Sequence, residues 1–174
     1  MDYTHHYDSP LGGITLASDG EAIIGLWFDE QKYFADTLRE PYAEAELPIF
    51  DETKRWLNIY FSGSAPDFTP KLNMRTTAFR KAVWSILLTI PFGQTMTYGQ
   101  IAEIIAGQMG LVRMSAQAVG GAVGHNSISL IVPCHRVVGR NGSLTGYAGG
   151  INKKLRLLQM ENADTCRFFI PERK

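Results

Sequence analysis

At 174 residues, 45% of them hydrophobic and 20% charged, the chain can bury a sizeable core and fits one domain or two small ones. No stretch is apolar enough to span a bilayer, Met1 to His6 lack the regions of a signal peptide, and two cysteines, Cys134 and Cys166, form neither a disulfide framework nor a zinc cluster. A cytoplasmic monomer with a free thiol, no metal, no cofactor and no membrane attachment is therefore expected.

The net charge of zero conceals a division. Residues 1–70 carry 4 Lys and Arg against 13 Asp and Glu, whereas residues 71–174 carry 13 against 4. Such a split points to an anionic partner for the second half.

Asp2 to Tyr7, Ile14 to Ala17 and Ala22 to Phe28 alternate or cluster as strands, with turns at Pro10 to Gly13 and at Asp19-Gly20. They predict an antiparallel meander. A helix is expected over 48–61, with Pro48 at its start, Gly63 after its end, and Ile49, Trp56 and Tyr60 on its apolar stripe. The stretch 62–76, with Gly63, Pro66 and Pro70, reads as a linker. The fold class expected is α+β: a small N-terminal α/β domain over 1–70 and a mainly helical domain over 71–174.

The second half opens with a helix from about Thr77 to Thr89, broken at Pro91-Phe92-Gly93. Thr97 should cap a helix over 98–106, with Ile101, Ile104 and Ile105 inward, and Ser115 should cap another over 116–123. Two short helices joined by a glycine-containing connection read as a helix-turn-helix. The second, Ala116-Gln117-Ala118-Val119-Gly120-Gly121-Ala122, holds glycines that cost about 1 kcal/mol each in a helix, so close approach to a neighbouring helix or to nucleic acid is expected. A last helix runs from about Asn152 to Gln159 and ends near Glu161.

One stretch concentrates chemistry. Leu130-Ile131-Val132 runs into Pro133-Cys134-His135-Arg136 and returns to Val137-Val138. The backbone enters and leaves buried, so Cys134 should lie in a closed pocket with a base and a cation beside it in sequence. That setting suits a nucleophilic thiolate, while a lone buried cysteine is more often inert packing.

These blocks together resemble the O6-alkylguanine-DNA alkyltransferase family, densely over residues 76–174 and in general layout before that. The resemblance rests on Phe92-Gly93 with Tyr98, Ala118-Val119-Gly120, Asn126, Pro133-Cys134-His135-Arg136-Val137, Gly146-Tyr147 with Gly149-Gly150, and Glu161. It implies a ribonuclease-H-like N-terminal domain and a C-terminal helix-turn-helix domain. It further implies direct-reversal repair of double-stranded alkylated DNA, in which one alkyl group passes irreversibly from O6 of guanine to Cys134.

Under that resemblance His135 takes the thiol proton through a water and Glu161 orients the imidazole. Tyr98 donates to the guanine ring, Tyr147 and Ala148 meet O6 through backbone groups, and the carbonyls of Cys134 and Val137 read the exocyclic amine. Asn126 pins the active-site turn; Ser129 and Thr145 line the pocket rim. The target base must leave the stack, and Gln117 stands where the family usually has an arginine to fill the gap. Arg113, Ala118 and Gly120 complete the expected DNA contacts, and Arg136 is structural, paired with a carboxylate the sequence does not identify.

Two other readings compete: a helix-turn-helix binder that senses alkylated bases without chemistry, and a Cys-His hydrolase, which needs an oxyanion hole and turns over repeatedly. The range of alkyl groups and acceptance of O4-alkylthymine stay open.

Overall fold

The computed structural model describes residues 1–172, which form two compact units: Met1–Arg75 with Ser127–Ile131, and Thr76–Asn126 with the chain from Val132 onward.

In the first unit β1 (Asp2–Ser9), β2 (Gly12–Ser18) and β3 (Ile23–Phe28) form the expected antiparallel meander, and a short β4 (Tyr42–Glu44), which the sequence does not announce, pairs parallel to β1. The sheet order is β3-β2-β1-β4. Helix α1 (Pro48–Phe61) has Pro48 in its first turn and packs against β1 and β2 through a face including Phe50, Trp56, Leu57 and Tyr60. Each aliphatic side chain buried as fully as Leu16, Ile23 or Leu26 contributes roughly 1.5–3 kcal/mol.

Every residue of β3 is buried although β3 closes the sheet order. Two segments cover its open edge. Ile23 exchanges backbone hydrogen bonds with Lys71 and Asn73, and Leu26 does so with Ser127 and Ser129, at 2.8–2.9 Å. An uncovered edge would leave these N–H and C=O groups unpaired. Both segments correct the expected organisation. The stretch 62–76 is no free linker at its C-terminal end, since Lys71–Asn73 lines β3 and Arg75 forms two hydrogen bonds to Asp2 at 2.6 and 2.9 Å. Residues 127–131, expected in the second domain, lie in the first unit because their backbone completes β3.

The second unit holds α2 (Ala78–Leu87), β5 (Met96–Thr97), α3 (Tyr98–Met109), α4 (Ala116–Gly124), β6 (Val137–Val138) and α5 (Ile151–Met160). The expected caps form. Thr97 and Gln100 make a reciprocal capping box on α3, and the Ser115 hydroxyl accepts from Gln117 and Ala118 N–H on α4. Gly110 ends α3 in the left-handed region, φ 65°, which spares a side chain the steric cost there. The Trp84 indole donates to the Ala122 carbonyl at 2.9 Å and fastens α2 to α4.

One expectation about these helices fails, and of the two alternatives for the α4 glycines the internal one is removed. Ile104 is 39% exposed, because α3 turns only its Ile101, Ala102, Ile105, Ala106 stripe inward. The α4 glycines do not serve close packing within the chain. A Cβ on Gly120 would meet the Tyr98 ring at an ordinary 3.9 Å, and on Gly121 or Gly124 it would meet nothing within 4 Å.

Candidate active site

Leu130, buried and non-glycine, takes φ 71°, a conformation that costs about 1–3 kcal/mol and persists only because the surroundings impose it. The chain then passes Val132 and Pro133 into a single 3-10 turn over Cys134–Arg136. The Asn126 amide donates to the Val132 carbonyl at 2.7 Å, and the Cys134 N–H donates to the same carbonyl at 2.8 Å. One acceptor thus joins the end of α4 to the cysteine turn. Val137-Val138 leaves the turn as β6, parallel to β5, which leads directly into Tyr98 at the start of α3.

Cys134, His135 and Glu161 are almost wholly buried. The His135 Nε2 lies 2.5 Å from Glu161 Oε2, and Arg136 Nε donates to Glu161 Oε1 at 2.7 Å. Gly93 N–H also donates to Oε1, at 3.0 Å, while the Arg136 guanidinium donates to the Ile90 carbonyl at 2.7 Å. Gly93 has φ 82°, and a Cβ there would come within 2.9 Å of the Glu161 carbonyl oxygen, so glycine is required. Burial opposes ionisation of Glu161, but the donors from His135 and Arg136 hold its carboxyl far below the usual range. Burial pulls His135 down despite Glu161, so its resting state is a neutral imidazole. An anionic Glu161 accepts, so Nε2 carries the proton and Nδ1 is the basic nitrogen.

Burial pushes the Cys134 thiol up. A hydrogen bond from Asn126, the charge of Lys154 and the N–H groups of Cys134 and His135 act the other way without overcoming it. The resting sulfur is therefore a thiol, and it needs a base before it can attack.

Lys154 escaped the sequence reading. It is fully buried, its ammonium donates to the Thr145 carbonyl at 3.0 Å, and it stands 5.9 Å over the Tyr98 ring. Burial brings it down to about 8, with Cys134 acting to hold it charged. The signal was present: Lys154, Leu157, Leu158 and Glu161 recur at i, i+3, i+4 and i+7, one helical face, and all four are buried.

Tyr98 donates its hydroxyl to the Thr145 carbonyl at 3.0 Å, the acceptor Lys154 also uses. The loop continues to Tyr147, buried, whose carbonyl accepts from Gly150 N–H at 2.9 Å, and to half-buried Ala148. The tyrosine hydroxyl of Tyr147 is buried with no hydrogen-bond partner among the described residues. Val137 is buried, and its N–H closes the cysteine turn on the Cys134 carbonyl. Arg113 is exposed in the connection before α4, Gln117 and Ala118 are exposed on its first turn, and Gly120 lies further along the helix. Ser129 must be corrected. It sits in the first unit, 1% exposed, with its hydroxyl directed at Gln31 Oε1 at 3.3 Å, so it offers nothing to a pocket rim. The carboxylate of Arg136, unidentified from sequence, is Glu161.

A buried thiol, a neutral imidazole, an ionised carboxylate and two cations are gathered in one unit. The sequence models of the 6-O-methylguanine DNA methyltransferase ribonuclease-like domain and DNA binding domain match residues 3–74 and 78–163. The methylated-DNA–protein-cysteine methyltransferase of Mycobacterium tuberculosis is 45% identical over 164 residues, covering 91% of this chain and 93% of its own. The Haemophilus influenzae protein of that name is 38% identical over 160 residues, with 91% and 86% covered. The crystal structure of Mycobacterium tuberculosis OGT in complex with DNA matches with a TM-score of 0.79 and 42% identity over 92% of each chain. The chain belongs to the 6-O-methylguanine DNA methyltransferase family.

Among the described residues no helix is long and apolar enough to cross a membrane.

Proposed function

We propose that this protein repairs DNA by accepting, once per molecule, the alkyl group of O6-alkylguanine onto Cys134. The observation that carries the reading is the buried Cys134 thiol held by Asn126, in a unit matched to the family's DNA binding domain.

The thiol proton passes through a water to Nδ1 of His135, and the anionic Glu161 stabilises the imidazolium that forms. The sulfur attacks the alkyl carbon in line with O6. The S–C bond forms as the C–O6 bond breaks, its electron pair moves onto the guanine, and the proton returns there, leaving a thioether and an unmodified base. Tyr98 meets the ring as charge gathers on it, exchanging its bond to Thr145 for one to the base. Backbone groups of Tyr147 and Ala148 hold O6, and the carbonyls of Cys134 and Val137 accept from the exocyclic amine. Lys154 favours the thiolate through its charge.

The protein acts as a monomer on duplex DNA. α4 enters with the small residues Ala118 and Gly120 against the duplex, which accounts for glycines that no internal contact requires. Arg113 meets phosphate, and Gln117 fills the place of the extruded nucleotide.

Intact mass before and after mixing with a duplex oligonucleotide containing O6-methylguanine tests the reading. One methylene equivalent should be gained per molecule, mapped to the Cys134 peptide and absent from Cys166, which is exposed. Cys134→Ser should still bind and gain nothing. Binding by the intact protein without mass gain would make it a sensor, and repeated turnover of an activated ester would make it a hydrolase.

A further inference from the structure

The connection from α3 to α4 carries several exposed apolar side chains, Val112 foremost. After the left-handed Gly110 the chain swings outward. Met109 is 52% exposed, Leu111 45%, and Val112 wholly exposed at 106%. Leu111 N–H is tied back to the Ala106 carbonyl at 2.8 Å, and beyond it an open groove is lined by Ala102, Glu103, Ala106 and Gly107 of α3 together with Leu111–Met114. Single exposed hydrophobic residues are ordinary, but adjacent ones projecting from a loop tip are a contact surface.

Three observations favour DNA as what covers it. The apolar tip is continuous with the first turn of α4, where Ala116, Gln117 and Ala118 are all exposed and within the family's DNA binding domain. From residue 104 to 118 the one charged side chain is Arg113, a cation, which suits a polyanion. And Gln117 is uncharged and lacks a planar stacking fork, so a duplex opened at this point needs further support.

We propose that Leu111 and Val112 form an apolar wedge that enters the minor groove beside α4 and props open the base step from which the alkylated nucleotide leaves. Apolar side chains are used in this way by proteins that unstack and kink DNA from the minor groove. The proposal rests on the repair reading and adds to it the means by which the step is opened.

The test uses the full chain with L111S/V112S and with V112I. Two quantities are measured: single-turnover transfer from O6-methylguanine in matched duplex and single-stranded oligonucleotides, and fluorescence of 2-aminopurine placed beside the lesion. The double variant should lose about tenfold on the duplex and less than about twofold on the single strand, where there is no stack to open, and should abolish the fluorescence rise. V112I keeps the side chain apolar and β-branched, one methylene larger at a fully exposed position, and should retain both. Equal losses on the two substrates, or an undiminished fluorescence rise, would overturn the wedge. So would wild-type self-association that the double variant abolishes, since a second copy would then be what covers the tip. The fluorescence reports unstacking whether or not transfer occurs, so failure of the chemistry and failure of the wedge are told apart.

Discussion

Arg136 Nε lies 2.7 Å from Glu161 Oε1, on the carboxylate whose other oxygen meets His135. One buried anion therefore holds both residues that follow the nucleophile, and it does so from the end of α5, 25 residues further along the chain. A single carboxylate orients the base and neutralises the structural cation.

Glu161→Gln should accordingly damage stability and chemistry together. It leaves Arg136 buried without its counter-charge, a change that typically costs roughly 3–5 kcal/mol. Denaturant unfolding should show that loss, and single-turnover transfer under folding conditions should slow as well. The pH dependence follows from the depressed carboxyl. A carboxylate whose folded-state value lies below its unfolded value stabilises the fold above about pH 4.3 and loses that contribution as pH falls further. Wild-type stability owed to Glu161 should hold through neutrality and fall below about pH 4.5, a slope that Glu161→Gln should lack.

Lys154→Gln should slow transfer most near neutrality. Burial already pushes the Cys134 thiol up, and removing the ammonium that opposes this should raise it further. The rate against pH should then shift to the alkaline side. Lys154, at about 8, loses its charge as the pH rises past that value, so wild type and variant should converge above it. A profile displaced by the same factor at every pH would make Lys154 a packing residue.

Gln117→Arg should raise the rate on duplex DNA and leave single-stranded DNA nearly unchanged. Gln117 is exposed on the first turn of α4, so arginine fits without disturbing the core. Single-turnover transfer at one salt concentration separates the effects. A gain confined to the duplex places residue 117 in extrusion, whereas equal gains on both substrates would mark general attraction to phosphate.

In the first unit, Arg75→Ala should destabilise without touching transfer chemistry directly. The Arg75 guanidinium bonds both oxygens of buried Asp2 and the Thr37 carbonyl, and holds the Asp2 carboxyl below its usual range. Breaking so enclosed a pair should cost about 3 kcal/mol, read by thermal unfolding followed with tryptophan fluorescence.

The amino-acid order alone specified what depends on near neighbours. Periodicity and capping residues placed α1 at 48–61, Thr97 and Ser115 at their helix starts, and the three strands of the meander, because turns and caps are local chemistry. The family blocks singled out Cys134, His135, Asn126 and Glu161 as one group. Tertiary structure decided the rest. That 127–131 completes the edge of β3, that Ser129 faces Gln31, and that the carboxylate of Arg136 is Glu161 are pairings between residues 25 to about 100 positions apart. Long-range pairing leaves little periodic trace. A strand that covers an edge looks like any apolar run, and a buried charge declares its partner only when folding removes the water that would otherwise solvate both. Lys154 stands between the two cases: its place on an apolar stripe was written in the sequence, but only the packed site turns that position into a cation beside a thiol.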